Sequence, residues 1–213
     1  MAARIPTLEK PPAPPRGPGG PAGDRGPGHG GEDAVAPATP AKVFVWLFVG
    51  TVIVLFAAFT STYLARRGQP GWTEVPLPPV LWLSTVILAV SSAVLEWARR
   101  QGRAGRLDGL RRGLVLTTVL GIGFLASQLV AWRQLVSAGL YLSTDPHSSF
   151  FYLLTGAHGL HLLGGLGALL YTGWKVHQIR QSAPAVAFTD PTATYWHFLG
   201  ILWVYLFGLL FWL

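Results

Sequence analysis

The chain alternates between long uncharged, mostly apolar runs and short polar connections. A helix needs about 20 consecutive apolar residues to span the hydrocarbon core of a bilayer. In lipid every backbone polar group must be satisfied internally, so each spanning run is expected to be helical. The pattern therefore predicts an all-α integral membrane bundle of five transmembrane helices. The five runs are Val43–Leu64, Val75–Leu95, Gly113–Trp132, Ser148–Trp174 and Pro191–Leu213.

The residues before the first run have a different composition. The first forty contain ten Pro and eight Gly, with no apolar core of the kind a cleavable signal peptide requires. Such a segment buries too little apolar surface to offset its ordering entropy. We therefore expect a disordered cytoplasmic tail at 1–41, either inert or serving as a docking segment, followed by a transmembrane domain at 42–213.

The charges fit a membrane topology better than a nucleic-acid site. Only 12% of residues are charged, against about 25% in ordinary soluble domains. Six of the sixteen Lys and Arg residues lie at 99–112, between two apolar runs. With that linker in the cytoplasm, thirteen basic residues fall inside and three outside, which predicts the N-terminus inside and the C-terminus outside. Successive helices joined by short loops are expected to be antiparallel neighbours.

Histidines within the spans are the main ionisable candidates, because such groups inside a membrane are often functional. His158 and His161 lie three positions apart, so they share one side of the fourth helix. One such pair supplies too few ligands for most metal sites, and hydrogen bonding to neighbouring helices or lipid headgroups is the alternative. A haem held by His161 and His197 is not expected, since their depths differ by more than about 10 Å along their helices.

Other polar residues indicate structure rather than catalysis. Glu96 lies four residues before Arg100, a spacing typical of a surface ion pair. Gln128, in the third helix, is the kind of side chain that hydrogen-bonds between helices. No Gly-rich phosphate loop, paired carboxylates or nucleophile–base motif is present, and the absence of cysteine excludes thiolate metal centres. The residues therefore predict a packed membrane subunit with no catalytic residues and no metal ligands of its own.

Several motifs resemble subunit III of the haem-copper oxidases. The most specific are FFYLLTGAHGLH at 150–161 and YWHF at 195–198, followed by Leu202-Trp203. Supporting matches are the WLF step that begins at Trp46, PVLWLST at 79–85 and QLVAW at 128–132. The similarity covers about residues 42–213 and corresponds to the five-helix form of a family whose other members have seven helices.

The resemblance implies a bacterial plasma-membrane protein that contacts oxidase subunit I directly and assembles with subunit II, with haem and copper in those partners. It also implies a bound phospholipid, stabilisation of the catalytic subunit and support of proton uptake, in a complex that reduces oxygen and pumps protons. We expect lipid- or interface-binding residues among Trp46, His158, His161, Tyr195, Trp196 and His197, with Glu96 and Gln128 secondary.

Two departures and two alternatives accompany this resemblance. Val52 replaces a glutamate that is usual in the family, and Gly200 replaces a frequent aspartate, which puts a proton-linked role of those positions in question. The alternatives are the related accessory subunit of a nitric-oxide reductase and a small standalone transporter. The transporter interpretation lacks a charged pair in the middle of the membrane, a broken helix or a visible repeat.

Overall fold

A computed structural model describes residues 40–67, 78–139 and 146–212, and the predicted tail at 1–41 lies almost entirely outside these ranges. The described part contains five helices, each long and apolar enough to cross a membrane, which confirms the predicted all-α architecture. They are α1 (Pro40–Arg67), α2 (Val80–Arg103), α3 (Leu107–Ser137), α4 (Pro146–Gln178) and α5 (Ser182–Trp212).

The helices differ from the predicted spans mainly at their ends. Helix α2 begins at Val80, directly after Pro78 and Pro79, because proline lacks the amide hydrogen that a helix interior needs; the predicted start at Val75 lies outside the described residues. It then continues to Arg103, since charged residues are no obstacle once a helix leaves the hydrocarbon. Helix α5 begins at Ser182, nine residues before the predicted start, and carries Pro191 in its interior.

Helices α2 and α3 form a closely packed antiparallel hairpin. Their connection turns through Gly105, whose φ of 80° is readily available only to glycine. A Cβ added at Gly113 would lie 2.3 Å from the Cβ of Ala98, so the absence of a side chain there sets the distance between the helices. Farther along, the Ser84 and Ser127 hydroxyls hydrogen-bond at 2.8 Å.

Helix α5 is the most buried helix of the bundle and packs antiparallel to both α2 and α4. Its buried Trp203 donates an indole hydrogen bond to Thr85 Oγ1 at 3.0 Å. On the other side, the Thr172 and Thr192 hydroxyls join α4 to α5 at 2.8 Å. Interhelical hydrogen bonds of this kind contribute about 0.6 kcal/mol each in membrane bundles.

Helix α1 packs chiefly against α4 and α5 rather than against α2, its neighbour in the sequence. The expectation that successive helices are antiparallel neighbours therefore holds from α2 to α5 but is wrong for α1. Its contact surface is a narrow seam of four buried residues, Val49, Val52, Phe56 and Tyr63. Most of the remaining surface of α1 is apolar and exposed, as expected for a helix that faces lipid.

Candidate functional site

Three consecutive residues of α5 point in three directions, because each residue of an α-helix is rotated by about 100° from the one before. Tyr195 faces α4, where its hydroxyl donates a hydrogen bond to the backbone oxygen of His161 at 3.1 Å. Trp196 is fully buried and donates from its indole nitrogen to Ser91 Oγ of α2, also at 3.1 Å. His197 lines a separate groove between α2 and α5.

The first groove, called here the α1 groove, lies between α1, α4 and α5 and has a volume of about 410 Å³. His161 sits in its wall, with Nδ1 2.7 Å from the backbone oxygen of Ala157 and its ring beside Phe48 and Phe56. Most of the lining is apolar or aromatic, which suits a hydrocarbon chain. The lining residues are Phe44, Val45, Phe48, Leu160, His161, Gly164, Ala168, Pro191, Thr192 and Tyr195.

A smaller polar pocket of about 230 Å³ continues the α1 groove toward the arginine-rich end of the bundle, where α2 ends. The two cavities share Val45 and Pro191. Lys42 supplies a cationic side chain, and Trp46 is 65% exposed beside it. An apolar groove that opens into a pocket with a cation matches the two parts of a phospholipid. The other lining residues of this pocket are Arg99, Asp190 and Thr194.

An ion-pair cluster joins α2 to α5 at the same end. Arg99 contacts Asp190 Oδ1 through Nη2 at 2.7 Å and Glu96 Oε2 through Nη1 at 2.8 Å. The predicted pair between Glu96 and Arg100 is present but longer, at 3.5 Å. Sequence reasoning missed the Arg99–Asp190 pair, because the two residues are 91 positions apart and Asp190 lies before the predicted fifth span.

His158 and Gln128 lie inside the bundle. The His158 ring is fully buried, with ring centroids 5.9 Å from Phe124 and 5.2 Å from Trp203. Neither ring nitrogen of His158 and neither amide atom of Gln128 has a hydrogen-bond partner within the described part of the chain. His158 therefore lies in the interior of the bundle and His161 lines the α1 groove, although the two residues share one side of α4.

The second groove, called here the α2 groove, lies between α2 and α5 and has a volume of about 490 Å³. His197 lies in it, with Nε2 4.0 Å from Glu96 Oε2. Gly200 also lines this groove, whereas Val52 is buried in the seam of α1. The lining residues are Thr85, Leu88, Ala89, Ser92, His197, Gly200, Ile201, Trp203 and Val204.

The described residues form two grooves, a polar pocket and a set of interhelical hydrogen bonds. Among residues 40–67, 78–139 and 146–212, no three His, Asp or Glu side chains lie close enough together to hold a metal ion. The fold and its grooves define a multi-pass helical membrane subunit.

Comparison with known proteins identifies the family. The model of the family described as cytochrome c oxidase subunit III matches residues 41–213. A probable cytochrome c oxidase subunit 3 from Mycobacterium tuberculosis is 32% identical over 176 residues, covering 78% of this chain and 84% of the relative. Cytochrome c oxidase subunit 3 of Bacillus sp. is 31% identical over 76% of this chain and 80% of its own. The chain belongs to the cytochrome c oxidase subunit III family.

Family membership decides between the three interpretations of the sequence. The chain is a subunit III of a haem-copper oxidase, a component of an oxidoreductase complex of the respiratory chain. The similarity extends to quinol oxidase subunit 3 of Bacillus subtilis, at 28% identity over 76% of this chain and 81% of the relative. These findings favour an oxidase subunit over the nitric-oxide reductase subunit and the transporter.

Proposed function

We propose that this chain is a non-redox subunit that holds a membrane phospholipid against the oxidase and stabilises the catalytic subunit during turnover. It assembles directly with subunit I and also with subunit II, which carry the haem and copper in this proposal. The observation that supports it is the continuity of the α1 groove with the polar pocket at Lys42. The acyl chains lie along the aromatic wall of the groove, and the phosphate is near Lys42.

Three of the six candidate residues line the α1 groove or the polar pocket, and these three are the proposed lipid contacts. Trp46 is exposed beside the polar pocket, where an indole ring can hydrogen-bond to a headgroup oxygen. His161 uses Nδ1 on the backbone of its own helix, and its imidazole faces the groove. The Tyr195 ring packs at a tilt against Phe48, with ring centroids 5.5 Å apart, and lines the same groove. His158 and Trp196 are buried in the interior, His158 beside Trp203 and Trp196 hydrogen-bonded to Ser91 of α2, and are not among the proposed lipid contacts.

We further propose that the arginine-rich end faces the cytoplasm. Lys42 and Arg99 line one pocket. Arg111 of α3 donates to the backbone oxygens of His177, in the last turn of α4, and of Ile179, just beyond that helix, so the basic ends of four helices lie together. Concentration of Lys and Arg on one side is typical of the cytoplasmic side. Val52 and Gly200 carry no carboxylate that could bind a proton. We therefore place any support of proton uptake at the arginine-rich end.

A matched pair of substitutions in α4 tests the lipid proposal. Gly164 lines the α1 groove and Gly167 does not, and a Cβ added at either would meet no atom within 4 Å. Gly164→Leu should fill the groove, lower the amount of phospholipid that co-purifies with the complex and speed the loss of oxygen consumption during turnover. Gly167→Leu should behave as the unmodified chain, and both should keep the haem absorption spectrum.

The measurement is quantitative mass spectrometry of lipids retained by the complex purified in mild detergent. Equal phospholipid content in the two variants would contradict binding in the α1 groove. If the chain purified without haem-bearing subunits in several mild detergents, the proposed assembly itself would be refuted.

A further inference from the structure

The α2 groove presents polar groups to the lipid-facing surface of the bundle. The His197 side chain is 30% exposed, and neither its ring nor the Ser92 hydroxyl forms a hydrogen bond within the described residues. Glu96 Oε2 lies 4.0 Å from His197 Nε2, beyond hydrogen-bond distance, and both oxygens of that carboxylate already contact arginines. The groove therefore contains hydrogen-bonding groups that the described residues do not satisfy.

His197 lies at a depth in the membrane where the surrounding lipid cannot form hydrogen bonds with it. Asp190 contacts Arg99 at the arginine-rich end, and His197 lies seven residues farther along α5, a rise of about 10 Å. Acyl chains offer no hydrogen-bond donor or acceptor at this depth. Polar side chains within the membrane almost always face protein or water, because leaving them unpaired in hydrocarbon is costly.

The shape of the groove suits a helix. Ala89, Ser92 and Gly200 keep it free of large side chains, and a Cβ at Gly200 would already lie 3.2 Å from Ser92 Oγ. Small residues allow the backbone of another membrane helix to approach closely. Among the described residues no Lys or Arg lines the α2 groove, whereas the α1 groove continues into the pocket that contains Lys42, so only the α1 groove offers a cation to a phosphate.

We propose that the α2 groove seats a transmembrane helix of another oxidase subunit, one that presents a hydroxyl, amide or carboxylate group to His197 and Ser92. This inference rests on the proposed assembly of the chain with its partner subunits. A polar side chain flanked by apolar residues on that helix satisfies the imidazole and fills the space above Gly200. The α1 and α2 grooves thus have different occupants, lipid in one and protein in the other.

Photocrosslinking in the assembled complex tests the occupant directly. The probe is p-benzoyl-phenylalanine in place of Ile201, which lines the α2 groove and is 70% exposed. The control carries the same probe in place of Ile122, which is 52% exposed on α3 and does not line the groove. The expected result is an adduct with the mass of a partner subunit from position 201, at least five-fold more abundant than from position 122.

Other results would overturn the proposal. Adducts with lipid alone from position 201, an adduct with a second copy of this chain, or equal crosslinking from both positions would each do so. If the probe-bearing complex still co-purified with haem, such results would leave the proposed assembly intact. A chain that purified without haem-bearing subunits would refute the assembly instead.

A groove-filling variant provides an independent measurement. Ala89 and Ala126 are both exposed, on α2 and α3, and only Ala89 lines the α2 groove. Ala89→Trp should reduce the haem that co-purifies with the chain by at least ten-fold, whereas Ala126→Trp should leave it unchanged. Circular dichroism of the released chain checks that it remains folded. Unchanged haem recovery with Ala89→Trp would count against a helix in this groove.

Discussion

The close approach of α2 and α3 predicts a large effect of a single methyl group. In Gly113→Ala the added Cβ would lie 2.3 Å from the Ala98 Cβ and 3.1 Å from its Cα. The Cα belongs to the backbone, so no side-chain rotation relieves the overlap. Carbon atoms prefer separations of about 3.5–4.0 Å, and the two helices must therefore move apart by more than about 1 Å.

The size of the effect follows from a comparison within α3. Overpacking a well-packed interior costs about 1–3 kcal/mol. Gly→Ala also stabilises a helix by up to about 1 kcal/mol, because alanine has the higher helix propensity, and this gain partly masks the overpacking cost. Gly123→Ala is the matched control, because its Cβ would meet no atom within 4 Å while the propensity gain is the same. The difference between the two variants isolates the overpacking cost of about 1–3 kcal/mol.

The assay is unfolding in mixed micelles of mild detergent and dodecyl sulfate, followed by tryptophan fluorescence. The nine Trp residues of the chain provide the signal. Gly113→Ala should unfold at a lower fraction of dodecyl sulfate than Gly123→Ala. Equal midpoints for the two variants would show that the helix distance is not set at Gly113 and would refute the reasoning.

Two further predictions concern the ion-pair cluster and the buried histidine. Arg99→Gln removes the link between Glu96 and Asp190 and should lower the free energy of unfolding by about 1–3 kcal/mol. The control is Arg100→Gln, which should lower it by less than about 0.5 kcal/mol because the Arg100 side chain is 75% exposed. Equal losses in the same unfolding assay would argue against an ion-pair link through Arg99. His158→Leu should leave the haem spectrum of the complex unchanged and speed the loss of activity during turnover, because the ring is fully buried within this chain, beside Phe124 and Trp203. A shifted haem band would contradict a structural role.

The five helices could be predicted from the sequence because hydrocarbon thickness and backbone hydrogen bonding leave little choice over long apolar runs. Helix ends were less predictable, since apolarity marks where the hydrocarbon ends and not where the helix ends. Helix α5 shows this most clearly, because its first nine residues lie before the apolar span and include Asp190. The Arg99–Asp190 pair depends on packing between distant segments, which no local pattern encodes.

The candidate residues were found as motifs, but their surroundings could not be predicted. A spacing of three places His158 and His161 about 60° apart on α4, enough for one to be buried and the other to face a groove. Which of the two points inward depends on where α3 and α5 pack. The sequence likewise marked Tyr195, Trp196 and His197 as one motif, although they contribute to the α1 groove, an interior contact and the α2 groove.

The narrow seam of α1 has a consequence for lipid selectivity. One wall of the α1 groove belongs to a helix that is held by four buried side chains, while the opposite wall belongs to the tightly packed helices α4 and α5. Changing the bulk of Val52 or Phe56 therefore shifts one wall and alters the width of the groove without repacking α2 and α3. In the proposed lipid-binding role, preference for acyl chains of different thickness is adjustable through this single helix, separately from the stability of the other four.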